Sequence, residues 1–352
     1  MKEQTTQNRI IYFDFLRIFA IIAVIFVHVA AENWYSTEPR SLTWNLYSLV
    51  DSLVRWGVPI FVMISGALFL NRNQSLKKIF RKHIIKLIIL FFVWSLIYAI
   101  WESSVGNAVT ISDFLINFFK GPAHLWFLPM IIGLYLITPL LQKIISDKKS
   151  TRYFLTLSLI FAFIIPEVIN IIDIVFPTTA NVLKYINGCL NLNFVLGFSG
   201  YFILGFCLHN TKISKKQETI IYLLGALGIV VTIILSALAS YYKNAPTAVF
   251  YENMSINVLL PSIAIFVFTK KHLNNQLSPK KQKLLLTLSK CTLGVYLVHL
   301  LILFMLDYFL NFNTASFNPL LAIPTLGLSV IVISLIITLI LNQIPFIKKW
   351  LI

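Results

Sequence analysis

Ile11-Tyr12-Phe13-Asp14-Phe15-Leu16-Arg17-Ile18-Phe19-Ala20-Ile21-Ile22-Ala23-Val24-Ile25-Phe26-Val27-His28 is the stretch that decides the fold. With Val29, Ala30 and Ala31 it reaches the roughly 20 apolar residues a membrane helix needs. Arg17 and His28 stand eleven residues apart. Eleven helical steps turn about 1100°, only about 20° past three full turns, so both side chains share a face about 16 Å apart along the axis. An arginine in hydrocarbon costs about 2.5–3.5 kcal/mol, and such groups face a bundle interior or a wet cavity. Asp14, three residues before Arg17, can neutralise part of its charge. The plainer alternative is a structural Asp14–Arg17 pair, with His28 reaching for the headgroups.

Composition extends this reading to the whole chain. Of 352 residues, 58% are hydrophobic and only 12% charged, in long unbroken runs. Such runs predict an all-α integral membrane protein, since a barrel would show short alternating segments. Lys2 and Arg9 before the first run, and Val29-Ala30-Ala31 after it, imitate a signal peptide. The run is too long for a signal core and Arg17 interrupts it, so a retained first helix is expected. Cys189, Cys207 and Cys291 lie far apart, without the spacing of a disulfide framework or a metal site.

The hydropathy pattern predicts about ten spans, near 10–31, 46–70, 83–101, 125–145, 153–175, 191–208, 218–241, 254–270, 287–310 and 319–343. With both termini cytoplasmic, 23 of the 29 Lys and Arg residues fall in inner segments and four (Arg40, Lys120, Lys184, Lys243) in outer ones. Arg17 and Arg55 lie within spans. That asymmetry is the positive-inside signature, and it accounts for a net charge of +16 without nucleic acid as a partner. The chain reads as one transmembrane domain over 1–352, with no soluble module appended and no internal repeat. Phe114–Phe119 is expected as a short interfacial or re-entrant piece.

Further ionisable groups fall within or beside spans. Asp51 and Arg55 are spaced to pair on one helical face, and Pro59 is expected to kink that helix and open a cavity beside the first. Asp51 and Arg55 also read as an ordinary buried ion pair. His124, with Trp126 and Phe127, opens the fourth span at headgroup level, either at the mouth of a site or as part of an interfacial belt. Tyr296 and His299 lie near mid-membrane, where a carbonyl-satisfied histidine is the plain alternative. His83, His209 and His272 read as inner-loop anchors. No nucleophile elbow, phosphate-binding glycine loop, dinucleotide fingerprint or zinc-helix motif is present. Histidines and arginines in a bundle suit proton transfer coupled to binding of an anion or oxyanion.

Four boxes resemble those of the membrane acyltransferase-3 family, bacterial proteins that O-acylate surface glycans. They are Leu16-Arg17-x-x-Ala20-x-x-x-Val24-x-x-x-His28; Arg55-x-x-Val58-Pro59-x-Phe61-x-x-x-Ser65-Gly66; His124-Leu125-Trp126-Phe127; and Leu293-Gly294-x-Tyr296-x-x-His299. Each is weak alone, and together they run in order over residues 16–299. The resemblance implies transfer of an acyl group, usually acetyl, from cytoplasmic acyl-CoA to a hydroxyl of a surface or lipid-linked glycan, in the bacterial plasma membrane. It implies no bound cofactor and no metal. It marks Arg17 and His28 as catalytic; Arg55, His124, Trp126, Tyr296 and His299 fall in its boxes as expected supports, and Asp14 and Asp51, read from their spacing to Arg17 and Arg55, are expected supports beside them. A proton-coupled transporter or exporter of an amino acid or glycan is the competing expectation. Oligomeric state is not legible in the sequence.

Overall fold

The computed structural model describes residues 9–72, 75–107, 110–192, 195, 197–274 and 277–351. Lys2, counted above with the inner cations, lies outside them. The helices in chain order are α1 (Ile11–Ala31), α2 (Leu42–Val54), α3 (Gly57–Leu70), α4 (Leu76–Ile79), α5 (Ile85–Ser104), α6 (Ile111–Lys120), α7 (Phe127–Ile145), α8 (Lys148–Ser158), α9 (Ile165–Val175), α10 (Pro177–Cys189), α11 (Ser199–Asn210), α12 (Lys215–Lys243), α13 (Ile256–His272), α14 (Pro279–Leu310), α15 (Pro319–Leu341) and α16 (Pro345–Trp350). π-Helical turns at Phe80–Ile84 and Leu159–Ile164 join α4 to α5 and α8 to α9. A 3₁₀ turn, Ala123–Trp126, leads into α7.

Among the described residues nine helical stretches are long and apolar enough to cross a membrane, and no strand is present. The chain is an all-α, multi-pass membrane protein. The span expected near 191–208 is the exception, because α11 has only 12 residues. It rises about 18 Å against a hydrocarbon core of about 30 Å. Asn191 and Gly197, before α11, take φ of 50° and 87°, outside the right-handed helical range. The short piece expected near 114–119 is α6, closed at its start by a Thr110–Asp113 capping box, with Ile111, Ile116 and Phe119 exposed.

The second expected span is continuous in hydropathy but broken in backbone. The break falls at Arg55–Trp56, between α2 and α3, and not at Pro59. Pro59 sits in the first turn of α3, where a missing N–H disturbs nothing. Gly57 sets the entry instead: a Cβ there would meet the Ala20 carbonyl of α1 at 3.0 Å.

Helix α1 runs through the middle, packed against α2, α3, α13, α14 and α15. The helix that carries Arg17 and His28 is therefore the axis of the bundle. Helices α3 and α11 pack closely enough that neither tolerates a side chain at the crossing. A Cβ on Gly66 would fall 1.8 Å from the Phe202 carbonyl oxygen, and one on Gly205 2.1 Å from that of Met63. The glycine of the second sequence box is thus a packing residue. His209, expected as a loop anchor, lies on α11 instead, with Nδ1 2.5 Å from the Tyr12 hydroxyl.

Beyond the end of α1, Glu32 ties down the loop between α14 and α15. Its Oε2 accepts the Thr314 N–H at 2.8 Å, Asn33 donates to the Thr314 hydroxyl and Tyr47 to its carbonyl. Burial pushes the Glu32 carboxyl up to about 7, against the Thr314 hydrogen bonds, and Asp307 adds to the rise. A raised carboxyl favours the folded state fully below the ordinary glutamate value near 4.5 and loses that contribution as pH rises through about 7. The thermal midpoint should therefore fall between pH 5 and pH 8, and Glu32→Gln should flatten that slope. An unchanged slope in the variant would assign it to other groups.

Candidate functional site

Beside α1 lies a cavity of about 200 Å³. Arg17 and His28 open on it from α1, Phe61 from α3, His124 and Trp126 from the 3₁₀ turn, and Tyr296 from α14. Val24 lies between Arg17 and His28 on the same wall, which makes the face expected from the eleven-residue spacing one side of a real cavity. Its remaining walls are largely apolar and aromatic, with Trp126 41% exposed at the rim against Phe198.

At one end, Asp14 is shared. It accepts from Arg9 Nε and Nη2 at 2.7 and 2.6 Å, from the Ser289 hydroxyl of α14 at 2.6 Å, and from Arg17 Nη1 at 3.3 Å. The expected Asp14–Arg17 pair is present, but Arg9 and Ser289 are the closer partners. Arg17 therefore keeps most of its donors for the cavity. The Tyr135 hydroxyl, beside Ser65, also faces the Arg17 charge.

At the other end three imidazoles meet. The ring of His28 lies 5.2 Å from that of His299 and 6.3 Å from that of His124, and His124 and His299 are 5.1 Å apart, centre to centre. His124 and His299 are buried, at 3% and 1% exposure, whereas His28 is half-buried on the cavity wall. His299 stands behind it. Tyr296 lines the cavity with its ring, but its hydroxyl donates to the His124 carbonyl and so fixes the 3₁₀ turn to α14. Among the described residues no group of three or more His, Cys, Asp or Glu is arranged to hold a metal ion.

Asp51 and Arg55 are not on the cavity wall. Arg55 pairs with Asp51 Oδ2, donates to the Tyr251 carbonyl at 3.3 Å and lies 4.4 Å over the Tyr251 ring. Among the described residues Asp51 Oδ1 and Arg55 Nε are buried without hydrogen-bond partners. Asp51→Asn keeps an acceptor but removes the charge opposite Arg55, and should lower stability by about 1–3 kcal/mol. A thermal midpoint in detergent equal to the wild type would show that the pair contributes no net stability.

Ser289, Thr292, Tyr135 and Tyr98 belong to the site and were not singled out from the sequence. Tyr98 has the most specific role. Its hydroxyl accepts the Leu301 N–H at 2.9 Å and donates to the Leu297 carbonyl at 3.0 Å. Those two groups would otherwise bond each other, so the hydroxyl is wedged into the helical ladder of α14 at the turn that carries His299.

A family model described as an acyltransferase domain matches residues 10–339, a range that contains every residue lining the cavity. No curated protein and no solved structure matches the chain.

Proposed function

Because the chain belongs to the membrane acyltransferase-3 family, we propose that it moves a short acyl group, acetyl in the simplest case, from acyl-CoA to a hydroxyl of a cell-surface or lipid-linked glycan. That it is a membrane acyltransferase follows from the family; donor, acyl group and acceptor are our reading. One observation carries it: an imidazole and a guanidinium on one face of the axial helix open on the same aromatic-walled cavity. A volume of about 200 Å³ suits an acetyl thioester and the tip of its arm.

Arg17 is too far along α1 from His28 to touch the same atom, about 16 Å by helical rise. It suits the body of the donor, and His28 the reacting end. A second cavity, of about 320 Å³, is lined mostly by apolar side chains, among them Leu76, Ile79, Phe80 and Ile84, with Lys77, Arg81 and Tyr135 also on it. Tyr135 thus stands between that cavity and Arg17, and Lys77 and Arg81 are the cations there that suit the donor's phosphates. In this reading both termini and the basic loops are cytoplasmic, in a bacterial plasma membrane, and the acceptor arrives from the opposite side.

His28 takes the proton of the acceptor hydroxyl as its oxygen attacks the thioester carbonyl. The tetrahedral centre collapses with cleavage of the C–S bond, and the sulfur leaves with the proton that His28 held. The products are an O-acyl glycan and free CoA. Membranes containing the wild-type protein should transfer label from [¹⁴C]acetyl-CoA to polysaccharide. No transfer with any short acyl-CoA or exported glycan would overturn the enzyme reading in favour of transport.

A further inference from the structure

We infer that His299 is the positioning partner of His28: its Nε2 accepts the single N–H of His28 and thereby turns the other His28 nitrogen, as a lone pair, to the cavity. The inference rests on the acyl-transfer reading for its consequence, but not for its geometry.

The protonation of His299 follows from its contacts. Nδ1 lies 2.6 Å from the Tyr296 carbonyl oxygen. A carbonyl only accepts, so Nδ1 carries the hydrogen and Nε2 of the neutral ring is a bare acceptor. That Nε2 is buried and has no hydrogen-bond partner among the described residues. An unmatched acceptor in so dry a place points to a donor that reaches it in the working state.

Two imidazoles are near enough to supply that donor. The Leu297 carbonyl lies near the His124 ring, but it already accepts from the Tyr98 hydroxyl, and both His124 nitrogens are buried without a hydrogen-bond partner among the described residues. What selects His28 is its place: it is half-buried on the cavity wall, so its second nitrogen can meet an acceptor hydroxyl, whereas His124 is 3% exposed. The His28 ring centre is 5.2 Å from that of His299. An N–H···N bond of about 2.9 Å between two imidazoles places their centres about 5 Å apart. A small rotation of the His28 ring therefore closes the bond.

Serine-hydrolase triads give this orienting task to a carboxylate. Here Asp51, expected to pair with Arg55, is committed to it. When His28 takes the acceptor's proton it holds two N–H groups, one toward the cavity and one toward His299 Nε2. The positive charge is then stabilised by the second ring while the cavity-side proton passes to the leaving sulfur. The Tyr98 hydroxyl, wedged between Leu297 and Leu301, fixes the turn of α14 on which His299 depends.

The direct test is ¹⁵N NMR of the histidine-labelled, full-length wild-type protein in nanodiscs, with His28 assigned by difference from His28→Gln. One protonated and one bare nitrogen on the His28 ring, with a ¹⁵N–¹⁵N coupling to His299, is the expected result. A rapidly averaging His28 ring without that coupling overturns the proposal, whether or not acyl transfer is found. In the transfer assay His299→Phe should lower kcat by roughly 10²-fold with the KM for acetyl-CoA within twofold, because it removes the acceptor. His299→Gln, whose amide oxygen replaces the Nε2 lone pair, should recover about tenfold of that loss. Equal kcat in the two variants, or a loss confined to KM, overturns the positioning role.

Discussion

His28→Gln should lower acyl transfer by roughly 10²–10⁴-fold at matched expression, the range that a positioned general base supplies. Glutamine keeps much of the bulk and a hydrogen-bonding end, so the cavity should survive and the thermal midpoint should barely move. What it lacks is a nitrogen that takes up and returns a proton near neutral pH. Arg17 and Arg55 cannot substitute, because a guanidinium has no lone pair to offer. The measurement is label moved from [¹⁴C]acetyl-CoA to glycan. An acid quench of the wild type adds a second reading, since label held on the protein would make His28 the acyl carrier and not only the base. Transfer that persists in His28→Gln would leave the enzyme standing and remove His28 from its centre.

Gly66→Ala should unfold or severely destabilise the protein, by about 4 kcal/mol or more, although it adds one methyl group. The new carbon would fall 1.8 Å from a backbone oxygen of α11, and no side-chain rotation relieves that contact. The helices must separate, and the core residues around Met63 and Phe202, both fully buried, separate with them. Gly133→Ala is the internal control, because nothing lies within 4 Å of its added carbon. It should be neutral, or slightly stabilising through helix propensity. Thermal midpoints in detergent give both values. Gly205→Ala, at the same crossing, should add little to Gly66→Ala once the helices have parted. A Gly66→Ala protein that melts like the wild type would show that α3 and α11 can adjust without loss.

Helix α1 was the most legible part of the chain, because the 3.6-residue period and the placement of two ionisable groups speak to the same face. The break at Arg55–Trp56 was hidden because Pro59 is the louder local signal. The contact that sets it, Gly57 against the Ala20 carbonyl, is tertiary and leaves no local trace. His124 and His299 could be suspected from their depth, but their distances from His28 along the chain say nothing of a shared cluster. Ser289 and Tyr98 were invisible for another reason. Hydroxyls in membrane helices commonly bond a carbonyl one turn back, as Ser52 does with Ser48 and Thr138 with Leu134. Only the packed structure shows that Ser289 reaches Asp14 and that Tyr98 enters another helix.

The axial position of α1 also bears on biogenesis. Asp14 finds Ser289 across a separation of 275 residues, and His299 lies further still along the chain. At about 5–20 residues per second, the ribosome needs roughly 15–55 s to supply that part of α14 after α1 has emerged. During that interval the first helix sits in lipid with an aspartate and two arginines but without the neighbours that enclose them. The Arg9–Asp14 pair is local, five residues apart, and can form at once. It gives the newborn helix a way to neutralise its buried acid before a bundle exists to do so.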